Sequence, residues 1–216
     1  MLEKMDEFFT ARVDGYDEHM KSNIEGASKF YNYTASLLPM DKGTNILDLG
    51  CGTGLELEEL FQINPSAKVT GIDLTEAMLE TLKAKFPDKD ITTICGSYFE
   101  VPLGEEVFDA AVSVESLHHF TKEDKIPLYK KLNKALKSGG YFVLTDYFAE
   151  SDEEEDFYRQ ELIRIRKEQE LPDGVFYHYD TPLTVEHEKE ALLEAGFTCV
   201  EVLDCWESTS TLRAIK

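Results

Sequence analysis

The sequence has few basic residues and no long apolar segment. Lysine and arginine number 22 against 43 aspartates and glutamates, which gives a formal net charge of −21. Because binding to a phosphate backbone depends on clustered cations, this composition argues against DNA or bulky RNA as a direct partner. No apolar run is long enough to cross a bilayer, and the charged N-terminal segment does not resemble a signal peptide. We therefore expect a cytoplasmic protein with no membrane partner.

Cysteine is also scarce, and its spacing predicts neither a metal site nor a redox site. The four cysteines are Cys51, Cys95, Cys199 and Cys205. Three of them fall in predicted strands or in a glycine-rich turn, so we expect buried, unpaired thiols in a reducing compartment.

The length and the apolar content fit one globular domain. The chain has 216 residues, of which 42% are hydrophobic, which is enough for a single core with a small cap. We interpret residues 1–216 as one domain, with 1–40 as an N-terminal helical cap. Residues 150–183 combine a charged helix with an irregular aromatic stretch and are interpreted as a lid. Ser151 and Glu154 have the spacing of a helix-capping box, so the acidic run around them is a solvated helix start.

The most informative stretch is NILDLGCGTGL, from Asn45 to Leu55. It begins as an apolar, β-prone segment, breaks at three glycines and continues with helical spacing, as in the first half of a nucleotide-binding βαβ unit. Glycines let the backbone approach a ligand closely, and the following helix start offers free N–H groups. Asp48 precedes the glycines, where its carboxylate would repel a pyrophosphate but attract an ammonium group.

The pattern Asp48-x-Gly50-x-Gly52-x-Gly54 resembles the first motif of the class I methyltransferases that use S-adenosylmethionine. Leu55 stands where a dinucleotide fingerprint would have its third glycine, which disfavours a nicotinamide dehydrogenase. The resemblance covers most of residues 40–216. It implies a doubly wound, mostly parallel α/β sheet of seven strands in the Rossmann-like order 3-2-1-4-5-7-6, with strand 7 antiparallel and helices on both faces. It also implies S-adenosyl-L-methionine as cofactor, S-adenosyl-L-homocysteine as product, and direct displacement of the methyl group onto a small-molecule acceptor.

Hydrophobic periodicity and turn residues place the elements of this fold. Pro127 is expected in the first turn of its helix, and Gly139 is expected as a left-handed cap at the end of that helix. After the strand that begins at Asn45, strands are predicted at Ala67–Asp73, Ile91–Cys95, Val107–Val114, Tyr141–Tyr147, Phe197–Trp206 and Ser208–Ile215. Helices are predicted at Ser22–Leu38, from Glu56, after Thr75, from Thr121 or Asp124, from about Asp152 to Glu170, and from Thr184 to Ala195.

Ligands of a doubly wound sheet gather at the carboxyl ends of its strands. By resemblance, Asp48 holds the cofactor's ammonium directly or through water, and the glycine loop runs beneath its amino-acid and ribose parts. Asp73 would accept the ribose hydroxyls. For both aspartates the alternative is ordinary capping or turn chemistry. The other cofactor contacts that the resemblance implies are Tyr16, Gly50, Cys51, Gly52, Gly54, Leu74, Gly96, Ser97, Tyr98, Val114 and Glu115.

Two loops bear on the adenine contact and on the general base. Ser97 stands where many members have an acidic residue that accepts the adenine amino group, so that contact would be weaker, with Tyr98 either covering the ring or only packing. The stretch from Glu115 to Phe120 lacks an N-P-P-Y motif and resembles enzymes that methylate small molecules and quinone-like metabolites. His118 or His119 is the candidate general base, with one of the two facing the pocket. The alternative is a histidine that packs the loop, because alignment and exclusion of water can suffice for methyl transfer.

Two further functions stay open. The layout from Thr184 to Lys216 resembles the carboxy-S-adenosylmethionine synthases of tRNA wobble modification, which hold the added carboxylate with an arginine. Here Glu188, Lys189 and Glu190 stand in that helix instead. A protein that binds the cofactor without turning it over is the other alternative. The aromatic residues of 176–179 and Trp206 are expected to pack the cap rather than enclose a ligand. As partners we expect the acceptor alone, and a homodimer is left open.

Overall fold

The computed structural model describes residues 1–24 and 26–216, and its centre is a seven-stranded sheet in the order β3-β2-β1-β4-β5-β7-β6. Strand β7 runs antiparallel to β5 and β6, whereas the other neighbouring strands are parallel. The predicted fold class and strand order are confirmed. The strands are β1 (Asn45–Leu49), β2 (Lys68–Asp73), β3 (Asp90–Cys95), β4 (Phe108–Val114), β5 (Leu136–Tyr147), β6 (Cys199–Trp206) and β7 (Thr209–Ile215).

Helices cover both faces of the sheet and add a small N-terminal cap. Side chains alternate across β1, so Ile46 packs into the core shared with α3 and α4, whereas Leu47 and Leu49 pack into the core shared with α6 and α8. Among the described residues, no helix is both long and apolar enough to cross a membrane. The helices are α1 (Met5–Thr10), α2 (Tyr16–Asn23), α3 (Ala27–Ser36), α4 (Leu55–Ile63), α5 (Glu76–Lys85), α6 (Lys122–Ala135), α7 (Asp152–Glu168) and α8 (Val185–Glu194).

The predicted helix from Ser22 to Leu38 is wrong in its first part. Helix α2 ends at Asn23, and α3 begins only at Ala27. Gly26 precedes α3 in a left-handed conformation, with φ of +77°, which glycine adopts without cost. A Cβ at this position would also lie 2.8 Å from Trp206 Cβ. Glu25, which falls inside the predicted helix, lies outside the described residues.

Helix α6 begins where the sequence predicts but ends earlier. The Thr121 side chain accepts from the Asp124 N–H, and the Asp124 carboxylate accepts from the Thr121 N–H, which completes a capping box. This early start places Pro127 at the sixth residue of the helix rather than in its first turn. The helix ends at Ala135 because Leu136 is already extended and pairs with Phe108 in the sheet. Gly139 is left-handed, as expected, but it lies within β5 and does not cap the helix.

Burial differs from expectation at the cysteines and at α7. Cys51 is buried, whereas Cys95, Cys199 and Cys205 are exposed because they lie on the edge strands β3 and β6. No side chain of α7 is fully buried, and the side predicted to face the core is only half-buried. The N-terminal half of the expected capping box is present, since the Ser151 hydroxyl accepts from the Glu154 N–H at 3.2 Å.

Candidate active site

Two neighbouring cavities open where the parallel strands end. The first, here called the narrow cleft, is about 60 Å³ and runs past the glycine loop and the ends of β2, β3 and β4. The second, here called the histidine cavity, is about 620 Å³ and lies between the N-terminal cap and the segment that contains His178. The two share their adjoining wall. The residues that line both are Phe9, Tyr16, Glu115 and His119.

Hydrogen bonds to the backbone of β2 fix the conformation of the glycine loop. The N–H groups of Gly50 and Cys51 donate to the Ile72 carbonyl at 2.8 and 3.2 Å. Gly50 and Gly52 are both left-handed, and a Cβ at Gly50 would lie 2.0 Å from Ser116 Oγ. Any other residue at Gly50 would displace this loop, so the sequence pattern has a steric reason.

Asp73 combines turn chemistry with a position in the narrow cleft. Its Oδ2 accepts from the Gly52 N–H at 2.9 Å, and its Oδ1 accepts from the Thr75 N–H at 2.8 Å. The Thr75 side chain makes no capping hydrogen bond, so Asp73 and not Thr75 satisfies the start of α5. Each carboxylate oxygen can accept a second hydrogen bond. The side chain therefore holds the glycine loop and still has acceptors to offer a ligand in the cleft.

Asp48 lies beneath the glycine loop and does not line the cleft. It is fully buried, and neither carboxylate oxygen has a hydrogen-bond partner. Burial, together with the neighbouring Glu56 carboxyl, raises the pKa of Asp48 well above its usual range. The pKa of Glu56 is likewise raised, chiefly by burial. Because a buried carboxyl without a partner is costly, this pair suits a cationic group on the other side of the loop. Contact between Asp48 and a cofactor stays a prediction.

Most of the predicted cofactor contacts do line the narrow cleft. Those that do not are Asp48, Cys51, Gly54 and Val114, and all four are buried. Asp48 and Val114 lie in the central strands β1 and β4, whose side chains alternate between two faces that helices cover. The predicted residues in the cleft wall are Tyr16, Gly50, Gly52, Asp73, Leu74, Gly96, Ser97, Tyr98 and Glu115.

Sequence reasoning missed much of the apolar wall of the narrow cleft. Phe99, Phe120 and Phe176 form a contiguous aromatic group, with ring centroids 4.6 to 5.6 Å apart. Phe99 directly follows Tyr98 at the end of β3, and this run of aromatics in a loop was the available signal. The missed wall residues are Met5, Phe9, Met78, Phe99, Ser116, Phe120 and Phe176.

The roof over both cavities is made by two distant segments joined by main-chain hydrogen bonds. The Met5 N–H donates to the Phe176 carbonyl, and the His178 N–H donates to the Glu3 carbonyl, both at 3.0 Å. The His178 ring is stacked on Phe8 with centroids 3.5 Å apart and planes 9° from parallel. We call residues 3–8 with 176–178 the clasp. The sequence predicted a cap and a lid, but not that they are joined.

His118 and His119, which follow β4, both face the histidine cavity, so the expectation that only one would do so is wrong. They lie in a short 3₁₀ helix, Leu117–His119, which tilts their rings by 56° at a centroid separation of 4.1 Å. His118 Nδ1 is 2.6 Å from Asp146 Oδ1. Burial opposes the charge on His118, but the Asp146 carboxylate prevails and raises its pKa to about 9. Burial and the charge of His118 lower the pKa of His119 to about 4.

Glu115 occupies the junction between the two cavities. It follows β4 in a left-handed conformation with φ of +49°, which is unusual for a residue with a side chain. Its Oε1 accepts from the Thr209 hydroxyl at 3.1 Å. Burial and the nearby Asp146 carboxylate raise the pKa of Glu115 to about 7.

The helix that would hold a carboxylated cofactor supplies no cation to the cavities. Glu188 is fully buried, where its Oε2 lies 2.6 Å from Lys125 Nζ and its Oε1 accepts from the Tyr129 hydroxyl. Lys189 forms an ion pair with Glu186 at the surface. Trp206 packs against Tyr33 with ring centroids 5.3 Å apart and lines neither cavity.

Comparisons with known proteins agree with this architecture. The methyltransferase domain family matches residues 47–144, from β1 into β5. A 24-methylenesterol C-methyltransferase of Arabidopsis thaliana is 29% identical over 194 residues, which are 85% of this chain and 50% of that protein. The chain therefore spans about half the length of that relative.

Solved structures share the whole fold at low sequence identity. A putative O-methyltransferase from Nostoc punctiforme has a TM-score of 0.73 at 22% identity, and the match covers 100% of this chain and 62% of that one. Phosphoethanolamine N-methyltransferase 2 of Haemonchus contortus, solved in complex with S-adenosyl-L-methionine, has a TM-score of 0.71 at 17% identity and covers 96% of this chain and 57% of its own. The matched domain, the relatives and the strand order agree, and each likens the chain to the methyltransferases.

Proposed function

We propose that this protein transfers the methyl group of S-adenosyl-L-methionine to a small-molecule acceptor. The observation that carries the proposal is the pair of adjoining cavities, one floored by the glycine loop and one lined by histidines, with Glu115 and His119 in both walls. A donor in the narrow cleft and an acceptor in the histidine cavity would meet at this wall. Such an arrangement serves direct displacement, which needs the two reacting atoms aligned and water kept out.

The residues of the narrow cleft fit the cofactor that the family uses. The free lone pairs of Asp73 are placed for the ribose hydroxyls. Burial raises the pKa of both Asp48 and Glu56 below the loop, and a nearby ammonium group would favour their ionised form. Leu74 and Phe99 supply apolar surface for a flat base. When bound, the cofactor supplies a methyl group activated by the adjacent sulfonium.

The histidine cavity supports a small acceptor with a polar end. Its walls include the aromatic rings of Phe8 and Tyr16, and His118 and His119 are the polar groups beside the cleft. We assign to these histidines contact with the acceptor atom that receives the methyl group. The acceptor cannot be taken from the relatives, since the sterol C-methyltransferase and the phosphoethanolamine N-methyltransferase already differ in the methylated atom.

Neither alternative function gains support from the site. A carboxylated cofactor would require a cation, and Glu188 instead binds the buried Lys125 in the protein interior. A protein that only holds the cofactor would have a sealed or filled acceptor pocket, whereas the histidine cavity is about 620 Å³.

Titration calorimetry tests the donor site. We expect S-adenosyl-L-methionine and S-adenosyl-L-homocysteine to bind and NAD not to bind. Gly52→Val should abolish this binding, because valine is strained at the left-handed φ of +47°. A melting temperature of the variant close to that of the wild type shows that its fold is retained. Preferential binding of NAD, or full cofactor affinity in the variant, would overturn the proposal. Release of S-adenosyl-L-homocysteine with panels of phenols, thiols and amines then identifies the acceptor class.

A further inference from the structure

Three side chains that could ligate a metal ion converge on the wall of the histidine cavity. His119 Nδ1 is 2.9 Å from Asp180 Oδ1, and His118 Nε2 is 3.7 Å from the same oxygen. One ligand atom from each residue lies within 4.8 Å of the other two. This group cannot be found from residue spacing, because Asp180 is about sixty residues from the histidines and no ligand motif links them.

These separations are those of ligands around a shared ion. Imidazole nitrogens and carboxylate oxygens bind zinc-like ions at about 2.0–2.2 Å. At a distance of about 2.1 Å from one ion, ligand atoms 2.9 and 3.7 Å apart subtend angles of about 90° and about 125°. The first angle matches octahedral coordination, and the second is about 15° wider than the tetrahedral angle of about 109°. Both separations from Asp180 therefore fit ligand atoms of one ion after small rotations of the side chains.

A carboxylate beside Nδ1 orients the His118 ring, as is usual for histidines that bind a metal through the other ring nitrogen. Its Nδ1 lies 2.6 Å from Asp146 Oδ1, and Asp146 is itself fixed by the Leu117 N–H, which donates to Oδ2 at 2.8 Å. A hydrogen bond from Nδ1–H to this carboxylate leaves Nε2 as the ring nitrogen that faces Asp180, where a bound ion would take the place of a proton. Asp180 is positioned in turn, because the N–H of the next residue, Thr181, donates to the His118 carbonyl at 2.7 Å.

His119 supplies a second, independent observation. Its side chain is 5% exposed, and its Nδ1 has no hydrogen-bond partner even though a carboxylate oxygen lies 2.9 Å away. A buried ring nitrogen without a hydrogen bond is unusual, and an ion between the two groups would satisfy both. Two acidic side chains also lie in the wall of this cavity. Glu115 and Asp180 line the cavity, and Arg12, which lines it as well, is paired with Glu3 at 3.0 Å.

We propose that His118, His119 and Asp180 bind one divalent transition-metal ion at the junction of the two cavities. Two imidazoles and one carboxylate favour zinc, cobalt or iron over magnesium, which prefers oxygen ligands. Three protein ligands leave coordination positions open toward the cavity. Binding of the ion stands on this geometry alone. Its use rests on the proposed function: the acceptor is of the class that offers an oxygen or sulfur atom to the ion, which holds that atom beside the donor cleft.

Metal binding by the purified, chelator-treated protein tests the site directly. Cofactor-free protein is titrated with Co²⁺ or Zn²⁺ alone, by calorimetry and by the visible absorption of bound Co²⁺. We expect one equivalent of ion and a spectrum without thiolate-to-metal bands, since the exposed cysteines are the competing ligands. Asp180→Ala should weaken binding at least tenfold. Its side chain is 44% exposed, so the variant should fold, and His119→Ala provides the second ligand deletion.

His187→Ala is the matched control. Its Nδ1 also lies 2.9 Å from a carboxylate, that of Glu155, but outside both cavities. The His187→Ala variant should bind Co²⁺ with the affinity of the wild type. No stoichiometric ion, unchanged affinity in Asp180→Ala and His119→Ala, or thiolate bands would each overturn the metal site. Cofactor titration of the same proteins separates the two proposals: an ion bound without any cofactor binding removes the methyl-transfer function and keeps the metal site.

Discussion

Replacing Asp73 by asparagine changes both its ligand contacts and its hydrogen bonds to the backbone, and the choice of ligand tells the two effects apart. In the cofactor-free protein both carboxylate oxygens accept backbone N–H groups, one from Gly52 and one from Thr75. Asparagine keeps one acceptor oxygen, has almost the same shape and removes the charge. One ribose hydroxyl would then lose a charged acceptor. Hydrogen bonds to charged groups contribute about 1.5–3 kcal/mol. We therefore expect the dissociation constant for S-adenosyl-L-methionine to increase roughly 10- to 150-fold.

The choice of ligand shows where the loss of affinity arises. Methylthioadenosine has the ribose and the base but lacks the amino-acid end. If Asp73 binds the ribose, calorimetry should show the same fold-loss for this compound as for the full cofactor. If the variant only shifts the glycine loop beneath the amino-acid end, methylthioadenosine should keep its affinity. Dissociation constants of Asp73→Asn within twofold of the wild type for both compounds would refute the ribose assignment.

Three other predictions follow from contacts outside the cleft. Glu188→Ala leaves the buried Lys125 ammonium without its partner, so urea unfolding followed by the single tryptophan should show a loss of about 3–5 kcal/mol; a loss below about 1 kcal/mol would contradict the burial argument. The pKa of His187 is raised by hydrogen bonding to a carboxylate, so its contribution to stability is full below its unfolded pKa and disappears as pH rises through the folded value. Its side chain is 33% exposed, and the wild type should therefore exceed His187→Gln in unfolding free energy by less than about 1 kcal/mol near pH 5.5 and by nothing near pH 8.5; a difference that grows with pH contradicts the sign. Phe8→Ala removes the ring stacked in the clasp and should speed cofactor dissociation in stopped-flow measurements, whereas Phe157→Ala, an exposed aromatic on α7, should not; equal rates would show that the clasp does not retain the cofactor.

The sheet could be predicted from the sequence because its information is local. The apolar run of β4, the glycines after β1 and the Thr121 capping box each act within a few residues of the chain. Alternating strands and helices then leave few topologies for a parallel sheet. The break at Gly26 was missed although glycine is itself a local signal, and the close approach of Trp206 to this position comes from a distant part of the chain.

The site was harder to predict because its contacts join segments that are distant in the sequence. The motif places Asp48 and Asp73 near a ligand, but only packing decides that Asp73 reaches the cleft wall while Asp48 lies below the loop. Residue type alone could not join Asp180 to His119, or Glu3 to His178, because these contacts connect segments that are distant in sequence. The roof and the candidate metal ligands are therefore products of tertiary structure.

The wall shared by the two cavities also couples the affinities of the molecules that bind on its two sides. Phe9, Tyr16, Glu115 and His119 border both spaces, so a molecule bound on one side alters the surface offered to the other. Thermodynamic linkage then requires reciprocity: the factor by which the donor changes acceptor affinity equals the factor by which the acceptor changes donor affinity. Calorimetric titration of each compound at a saturating concentration of the other would measure this factor in both directions. A substitution that changes the affinity for the acceptor would accordingly also change the affinity for the methyl donor.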